Sequence, residues 1–178
     1  MFNLQSYWQE FYKREEAPSQ PSEFAKTILK KDADCFELGG GNGRDSYYLG
    51  NVFNKVVAFD YATTNKDKGN VAFVNADLET ILKKDCAKVV YSRFFLHCLA
   101  NEQIIAILDW TKEYFFAEFR IKGDNPVIYK HERNLVDLPW LVDLLLKKNF
   151  EFTLKVGRGL AKYKEEDPLV ARVYAKKI

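Results

Sequence analysis

The chain has few of the residues that build metal centres or disulfide frameworks, and it has no long apolar run. Three cysteines and two histidines occur in 178 residues. Cys35, Cys86 and Cys98 have no metal-ligand spacing and cannot all pair, so we predict no metal site. Cys35 and Cys86 lie in or beside apolar runs, which favours buried free thiols. No apolar run approaches the roughly 20 residues needed to cross a bilayer.

An excess of charge of one sign is also lacking. The formal net charge is +2 and both signs are spread along the chain, whereas a nucleic-acid binder carries a dense basic face. The first residues are charged and aromatic, without the apolar centre of a signal peptide. We therefore expect a cytoplasmic protein that acts on a small molecule and has neither a nucleic acid nor a membrane as partner. The oligomeric state stays open.

The sequence does contain a regular alternation of strand-like and helix-like segments. The predicted strands are Ala33–Leu38, Lys55–Phe59, Val71–Asn75, Lys88–Ser92, Phe115–Ile121, Phe150–Val156 and Leu169–Lys176. The predicted helices are an aromatic one around Tyr7–Tyr12, a short one capped by Ser22, and Arg44–Val52, Leu78–Lys84, Glu102–Tyr114 and Leu135–Lys148. This order implies a mostly parallel sheet with helices on both faces, ending in two antiparallel neighbours.

Domain size and one short connection complete the predicted organisation. With 47% hydrophobic residues, no repeat and no low-complexity linker, residues 1–178 are predicted to form a single domain. Only Tyr61–Asn70 separates the second strand from the third. A parallel crossover usually takes ten or more residues, so the helix expected there must be short or absent.

A glycine-rich loop follows the first strand, with the sequence Glu37-Leu38-Gly39-Gly40-Gly41-Asn42-Gly43. Glycines between a strand and a helix let the chain turn sharply and bring its backbone against a ligand. The dinucleotide fingerprint G-x-G-x-x-G requires its third glycine where Arg44 stands. The loop therefore predicts a nucleotide-type cofactor and disfavours a dinucleotide.

The observed run, E-x-G-x-G-x-G, resembles the first motif of the class I S-adenosylmethionine-dependent methyltransferases, including a subset of small bacterial enzymes that act on small molecules. The resemblance implies S-adenosylmethionine as cofactor and a three-layer Rossmann-like α/β sandwich, with a mostly parallel seven-stranded sheet and an antiparallel last strand. From about Asp34 onward the chain follows the strand–helix order of this family. Residues 31–178 would then be the catalytic core and residues 1–30 an N-terminal helical cover.

The resemblance also assigns cofactor contacts residue by residue. Glu37, with Gly39, Gly41 and Gly43 behind it, takes the place of the acid that helps hold the methionine end. Asp60 matches the acid that binds the ribose hydroxyls, and its offset from the loop is near the ~20 residues typical of such an acid. The other assigned positions are Asp77 near the adenine amine, Leu78 beside it, Ser92 where the substrate face begins, and Tyr12 with Trp8 in a lid. As the alternative, Asp77 caps the next helix.

Candidates for the substrate side lie after the fourth and fifth strands and before the last one. Methyl transfer requires an aligned nucleophile and exclusion of water, and a base only where the nucleophile must lose a proton. The candidate catalytic residues are His97, His131 and Arg93. The candidate substrate-binding residues are Arg93, Arg133, Arg158 and Tyr163. The three arginines are predicted to bind a phosphate or carboxylate together. As alternatives, Arg93 forms a structural ion pair and His97 is a hydrogen-bonded, half-buried histidine.

One missing motif narrows the class. Tyr91-Ser92-Arg93-Phe94 stands where nucleobase- and glutamine-modifying N-methyltransferases have an Asn-Pro-Pro-aromatic motif. We therefore predict methyl transfer to an oxygen or nitrogen of a small acceptor, with phosphorylated and sugar-like molecules among the candidates. Two rivals remain, a non-catalytic S-adenosylmethionine-binding subunit and an NAD-dependent oxidoreductase.

Overall fold

A computed structural model describes residues 4–13, 18–124 and 134–178. The helices are α1 (Leu4–Lys13), α2 (Glu23–Lys26), α3 (Arg44–Leu49), α4 (Leu78–Leu82), α5 (Asn101–Trp110) and α6 (Leu138–Lys147), with a short 3₁₀ turn at Leu96–Cys98. The strands are β1 (Asp34–Leu38), β2 (Lys55–Phe59), β3 (Val71–Val74), β4 (Ala87–Arg93), β5 (Thr111–Arg120), β6 (Phe150–Gly157) and β7 (Val170–Lys177). The predicted sites His131 and Arg133 lie outside the described residues.

The strands form a seven-stranded sheet in the order β3-β2-β1-β4-β5-β7-β6. The pairs β1–β2, β2–β3 and β4–β5 are parallel, and β7 is antiparallel to both β5 and β6. This is the Rossmann-like α/β arrangement that the sequence predicts, including the antiparallel last strand. By contacts the chain divides into two compact units, Met1–Asp85 and Cys86–Ile178. The single domain over residues 1–178 stays a prediction.

Each unit has its own apolar core. In the first unit, Leu38 of β1 and Ala58 of β2 are fully buried, and the two strands pair so that Leu38 lies beside Phe59. In the second unit, β5 is buried from Phe115 to Arg120. Burial on both faces is typical of the inner strands of parallel sheets, and it leaves the strand ends as the places where polar side chains emerge.

The connection from β2 to β3 contains no helix, as predicted. Asp60 to Asn70 pass directly from one strand to the other, and β2 and β3 pair in parallel register. The Asn70 amide nitrogen donates to the carbonyls of Gly50, Phe53 and Asn54 at 2.8, 3.0 and 2.9 Å. One amide therefore satisfies carbonyls at the end of α3 and in the turn after it, which have no intrahelical partner.

The predicted boundary between α5 and β5 is wrong by four residues. The sequence predicts a helix over Glu102–Tyr114, but α5 ends at Trp110 and β5 begins at Thr111. Thr111 pairs with Ala87 of β4, while its hydroxyl and its N–H both reach the Ile107 carbonyl. A β-branched residue that caps the helix with its own side chain lets the strand start without a loop, and sheet pairing then outweighs the helical pattern.

The prediction of buried thiols is confirmed for one of two cysteines. Cys35 of β1 is buried, whereas Cys86 is exposed in the turn before β4. Cys86 precedes the first paired residue of its strand, so the sheet does not cover it. Among the described residues, no helix is both long and apolar enough to cross a membrane.

We expect N70A to lower the free energy of unfolding by about 1–2 kcal/mol, because three carbonyls lose their donor together. Urea unfolding at neutral pH measures this value. N51A is the matched control: Asn51 is also exposed, and its amide donates only at 3.3–3.4 Å to the carbonyls of Tyr47 and Tyr48. Equal losses for the two variants would contradict a special role for Asn70.

Candidate functional site

The glycine loop after β1 is held against the end of β2 by backbone hydrogen bonds. The N–H groups of Gly39 and Gly40 donate to the Phe59 carbonyl at 2.9 and 3.1 Å, and Gly43 N–H donates to the Gly40 carbonyl at 2.9 Å. Gly43 then caps α3, because its carbonyl accepts from the Tyr47 N–H at 2.9 Å. The loop is thus a fixed turn between a buried strand and a helix, in the position that binds anionic or nucleotide ligands in such folds.

Two of these glycines are required by the geometry. Gly41 and Gly43 have φ values of +54° and +77°, which L side chains rarely adopt. A Cβ at Gly43 would stand 2.7 Å from Cζ of Phe73, and a Cβ at Gly41 would lie 3.3 Å from the Tyr12 ring. Both conformation and space therefore exclude larger residues without local rearrangement.

Asp60, directly after β2, is joined to this loop. Its Oδ2 accepts from the Gly41 N–H at 2.9 Å, and its Oδ1 accepts from the Ala62 N–H at 2.8 Å. The side chain is buried, and this burial raises the pKa of the Asp60 carboxyl above 3.8, against the lowering effect of the hydrogen bonds from Ala62, Gly41 and Tyr12. A carboxylate oxygen has two acceptor positions, and Oδ2 also accepts from the Tyr12 hydroxyl, so Oδ1 is the oxygen that can accept one further hydrogen bond.

Helix α1 lies over the loop and brings a predicted lid residue to it. The Tyr12 hydroxyl donates to Oδ2 of Asp60 at 3.5 Å, and its ring lies against Gly41. The ring also stacks on Trp8, with centroids 5.8 Å apart and an interplanar angle of 23°. Gln5 anchors the helix by donating to the Tyr61 carbonyl at 2.7 Å. Tyr12, Gly41 and Asp60 are therefore brought together at one place.

Residues 18–22, which precede α2, are tied to the same loop and to the start of α3. The Asn42 amide donates to the Pro18 carbonyl at 2.9 Å. The N–H and hydroxyl of Ser22 donate to the two carboxylate oxygens of Asp45, each at 2.7 Å, while Ser22 also caps α2 as predicted. Asp45, in the first turn of α3, was missed by the sequence reasoning. Its partner lies far along the chain, so no local signal marks it.

Asn65 is a second residue that sequence reasoning missed. Its amide donates to the Gly41 carbonyl at 2.7 Å and to the Thr63 hydroxyl at 3.1 Å. The backbone of Gly41 is therefore held on both sides, by Asp60 at its N–H and by Asn65 at its carbonyl. The only available signal was the unusual shortness of the connection in which Asn65 lies.

The remaining acids of the predicted cofactor site lie in different surroundings. Glu37 is almost fully buried on β1 beside Ala58, and its Oε2 atom accepts no hydrogen bond from the described residues, although the residue has other interactions. Asp77 is exposed and caps α4, accepting from the Thr80 N–H at 2.8 Å. The hydrogen bonds from Thr80 lower the pKa of Asp77 below 3.8. Leu78 beside it is buried.

In the second unit, a carboxylate binds two arginines across three strands. Glu118 of β5 lies opposite Arg93 of β4 and opposite Arg172 of β7. Its Oε1 accepts from Nε of Arg93 at 2.7 Å and its Oε2 from Nε of Arg172 at 2.6 Å, with the Glu118 side chain fully buried. Arg93 therefore has the structural ion pair that the sequence left as its alternative. Glu118 and Arg172 were missed because they lie inside apolar strands.

Phe94 follows Arg93 in a strained conformation. Its φ is +54°, and its N–H donates to the Glu118 carbonyl at 2.8 Å. The guanidinium carbons of Arg93 and Arg120 lie 4.5 and 5.8 Å from the centre of its ring, within cation–π range. A positive φ at a bulky residue costs of order 1–3 kcal/mol and is concentrated at functional positions. Phe94 is half-exposed after the carboxyl end of β4, and the sequence did not single it out as a candidate.

His97 and Ser92 are both buried. Nδ1 of His97 accepts from the Arg120 N–H at 3.4 Å, and its ring meets the Phe94 ring edge-on at 5.7 Å. This contact matches the neutral tautomer with its proton on Nε2. The sequence left a hydrogen-bonded, half-buried histidine as the alternative to a catalytic one; His97 does have a hydrogen bond, but it is buried. Ser92 is fully buried near the end of β4.

Two of the three predicted arginines lie in the described residues, and they are held by different carboxylates. Arg158 donates to Oδ1 of Asp124 at 3.1 Å, whereas Arg93 is held by Glu118. Asp124 also accepts from Arg120 at 3.1 Å. Tyr163 is exposed in the loop between β6 and β7. The described residues therefore place Arg93 and Arg158 in separate ion-pair clusters.

Solved structures with this fold are S-adenosylmethionine-dependent methyltransferases. One from Methanosarcina mazei matches with a TM-score of 0.66 and 14% identity, over 89% of this chain and 99% of its own. Magnesium protoporphyrin IX methyltransferase from Synechocystis PCC 6803, with bound S-adenosylmethionine, matches at 0.64 and 12%, over 100% and 99%. The 1,6-didemethyltoxoflavin-N1-methyltransferase from Burkholderia thailandensis, with bound 1,6-didemethyltoxoflavin and S-adenosylhomocysteine, matches at 0.68 and 18%, over 98% and 87%.

No family model and no curated protein matches the sequence. At the identities of these structural matches, the similarity establishes the fold. The chain has the class I S-adenosylmethionine-dependent methyltransferase fold, over nearly its full length and nearly the full length of the matched chains.

We expect the carboxyl of Asp60 to titrate above pH 3.8 and that of Asp77 below it, measured by carbon-13 NMR of the folded protein. When folding raises the pKa of a carboxyl, the protein loses stability as the pH rises from the pKa of the unfolded state to that of the folded state. When folding lowers the pKa, as at Asp77, the carboxyl stabilises the protein at a pH above its pKa in the unfolded state. This stabilisation is lost as the pH falls through its pKa in the folded state. Asp77 is thus the internal control, and the reverse order of the two pKa values would contradict the burial of Asp60.

We expect E118Q to lower the free energy of unfolding by about 3 kcal/mol, because the buried Arg172 and the partly buried Arg93 lose their counter-charge. Urea unfolding measures the loss. E113Q, on the same strand, is the matched control: Glu113 is 47% exposed and lies 3.9 Å from Lys88, and such pairs contribute at most about 1 kcal/mol. A loss from E118Q no larger than that from E113Q would show that the buried cluster does not stabilise the fold.

Proposed function

We propose that this protein is an S-adenosylmethionine-dependent methyltransferase. The observation that carries the proposal is the Glu37–Gly43 loop, joined by the Gly41–Asp60 hydrogen bond to the acid at the end of the neighbouring strand. Supporting it is the fold, which the chain shares with solved methyltransferases. The loop, the acid and the fold each suit a nucleoside cofactor at the carboxyl ends of β1 and β2.

The residues of the first unit fit this cofactor. Oδ1 of Asp60 has an acceptor position left for a ribose hydroxyl, and Glu37 is the buried acid assigned to the methionine end. The φ values of Gly41 and Gly43 keep the loop free of side chains on its close-approach surface. Asp77 and Leu78 are assigned to the adenine, where Asp77 would combine this contact with capping of α4.

When bound, S-adenosylmethionine supplies a methyl group activated by its sulfonium centre. The chain's own task is to bind, orient and exclude water. Tyr12 and Trp8 on α1 are suited to excluding water, because Tyr12 already covers Gly41 and contacts Asp60. Ser92 is assigned to the border between the cofactor and the acceptor.

We propose a small molecule as the acceptor, methylated at an oxygen or a nitrogen. A solved neighbour of this fold holds the small molecule 1,6-didemethyltoxoflavin. Arg93 and Arg120 lie within cation–π distance of the Phe94 ring, with Arg120 buried and paired with Asp124 and Glu166. Guanidinium groups at this place suit acceptors that carry negative charge. Nδ1 of His97 accepts a hydrogen bond in a buried position, so its Nε2–H can donate to an acceptor, and a role as a base would first require the hydrogen bond at Nδ1 to break. His131, Arg133, Arg158 and Tyr163 remain candidates from the sequence.

Gly41 and Gly69 allow a matched test of the cofactor loop. We expect G41A to weaken S-adenosylmethionine binding at least about tenfold in calorimetry, because the added methyl group stands on the loop surface beside Tyr12. G69A is the control: Gly69 has a φ of +61° and no atom within 4 Å of its added Cβ. It carries the same backbone strain and is expected to bind as the parent does.

Two further measurements distinguish the proposed function from its rivals. Heat from NAD and none from S-adenosylmethionine would end the proposal in favour of an oxidoreductase. Binding of S-adenosylmethionine without methyl transfer to a panel of small hydroxyl, amine, phosphate and carboxylate acceptors would favour the non-catalytic subunit. Thermal unfolding of both glycine variants shows whether a loss of binding reflects a loss of folding.

A further inference from the structure

Strand β6 is the last strand of the sheet, so one of its edges has no partner strand among the described residues. Residues Phe150–Gly157 pair with β7 on the other edge. Glu151, Thr153 and Lys155 point to one face and are all exposed, and Val156 on the other face is 48% exposed. An exposed edge strand of this length is a template for pairing with another strand.

The sequence of β6 is complementary to itself in antiparallel register. With a two-fold axis at Thr153, Glu151 of each copy lies opposite Lys155 of the other. On the opposite face, the same register sets Phe152 against Leu154, and Phe150 against the exposed Val156. A shift by two residues in either direction sets Thr153 against Glu151 or Lys155 and loses both charge pairs. Opposite charges and aromatic–β-branched pairs are the cross-strand pairs that stabilise a sheet.

The charges across the sheet favour the same partner. Arg93, Glu118, Arg172 and Lys155 lie in one row over β4, β5, β7 and β6, each opposite the next. The first three alternate in sign, but Lys155 lies opposite Arg172, a like charge. Glu151 lies opposite Lys176 of β7, an opposite charge, but neither Glu151 nor Lys155 is within ion-pair distance of a described residue. A carboxylate placed beyond Lys155 would restore the alternation, and the register above places Glu151 of a second copy there.

We propose that the protein forms a two-fold symmetric dimer in which β6 of one copy pairs antiparallel with β6 of the other, joining the two sheets into one. Such an interface is isologous, so each charge pair occurs twice. This inference goes beyond the proposed function, and its test measures association alone. The competing explanation is that Glu151 and Lys155 are charges that guard a solvated edge against pairing.

Sedimentation equilibrium of the full chain tests the proposal, with K155E, E151K, the double variant E151K/K155E, and K30E. Lys30 is exposed and belongs to the first unit, so K30E changes the net charge as K155E does without altering β6. We expect the parent chain to dimerise, and K155E to raise the dimer dissociation constant at least about tenfold, because two attractive pairs become repulsive. The double variant exchanges the charges and should restore the parent value, and K30E should leave it unchanged.

The dimer is overturned if the parent chain is monomeric up to about 1 mM, near the limit of specific association. Dimerisation that K155E and K30E affect equally would place the interface elsewhere. Failure of the double variant to recover would exclude the register centred on Thr153. Circular dichroism of each variant verifies folding, and K155E is expected to fold because it removes the like charge beside Arg172.

Discussion

The hydrogen bond from the Gly41 N–H to Asp60 is the contact on which the candidate site depends. It exists because β1 and β2 run parallel in a register that sets Leu38 beside Phe59. The two strands therefore end side by side, and the residues that follow them lie close together. The glycine loop comes after one strand and the acid after the other. Tyr12 and Asn65 then fix the remaining sides of Gly41. Each of these contacts would be lost if the two strands were paired one residue out of step.

Much of this site was predictable because its signals are local. A buried strand, a glycine run and a second strand ending in an acid can each be recognised within a few residues, and the parallel sheet brings them together. The contacts that hold the loop were not predictable. Asp45 with Ser22, and Asn65 with Gly41, join residues distant in sequence. The α5–β5 boundary failed for a related reason, since the pairing of Thr111 with Ala87 is a property of the sheet.

The substrate side was less predictable, because its polar residues lie inside strands that are otherwise apolar. Glu118 resembles one member of a polar–apolar alternation, as in a half-exposed strand, yet its side chain is fully buried. Its burial is tolerable only because Arg93 and Arg172 meet it from both neighbouring strands. Arginines that look free in the sequence are therefore already engaged. A negatively charged acceptor would have to use their remaining donors, and a guanidinium with five N–H groups has donors to spare.

The same row of charges shows why association through β6 would differ from the packing inside the sheet. In the interior, each cation is desolvated and needs its carboxylate, so Glu118 has a structural role. At the edge, water solvates Lys155, and its closeness to Arg172 costs little while that solvation lasts. Glu151 of a second copy would replace the water around Lys155, but it would not neutralise a buried charge. Exposed charge pairs of this kind contribute at most about 1 kcal/mol each. Such a dimer would be reversible and sensitive to salt, and each copy would fold without the other.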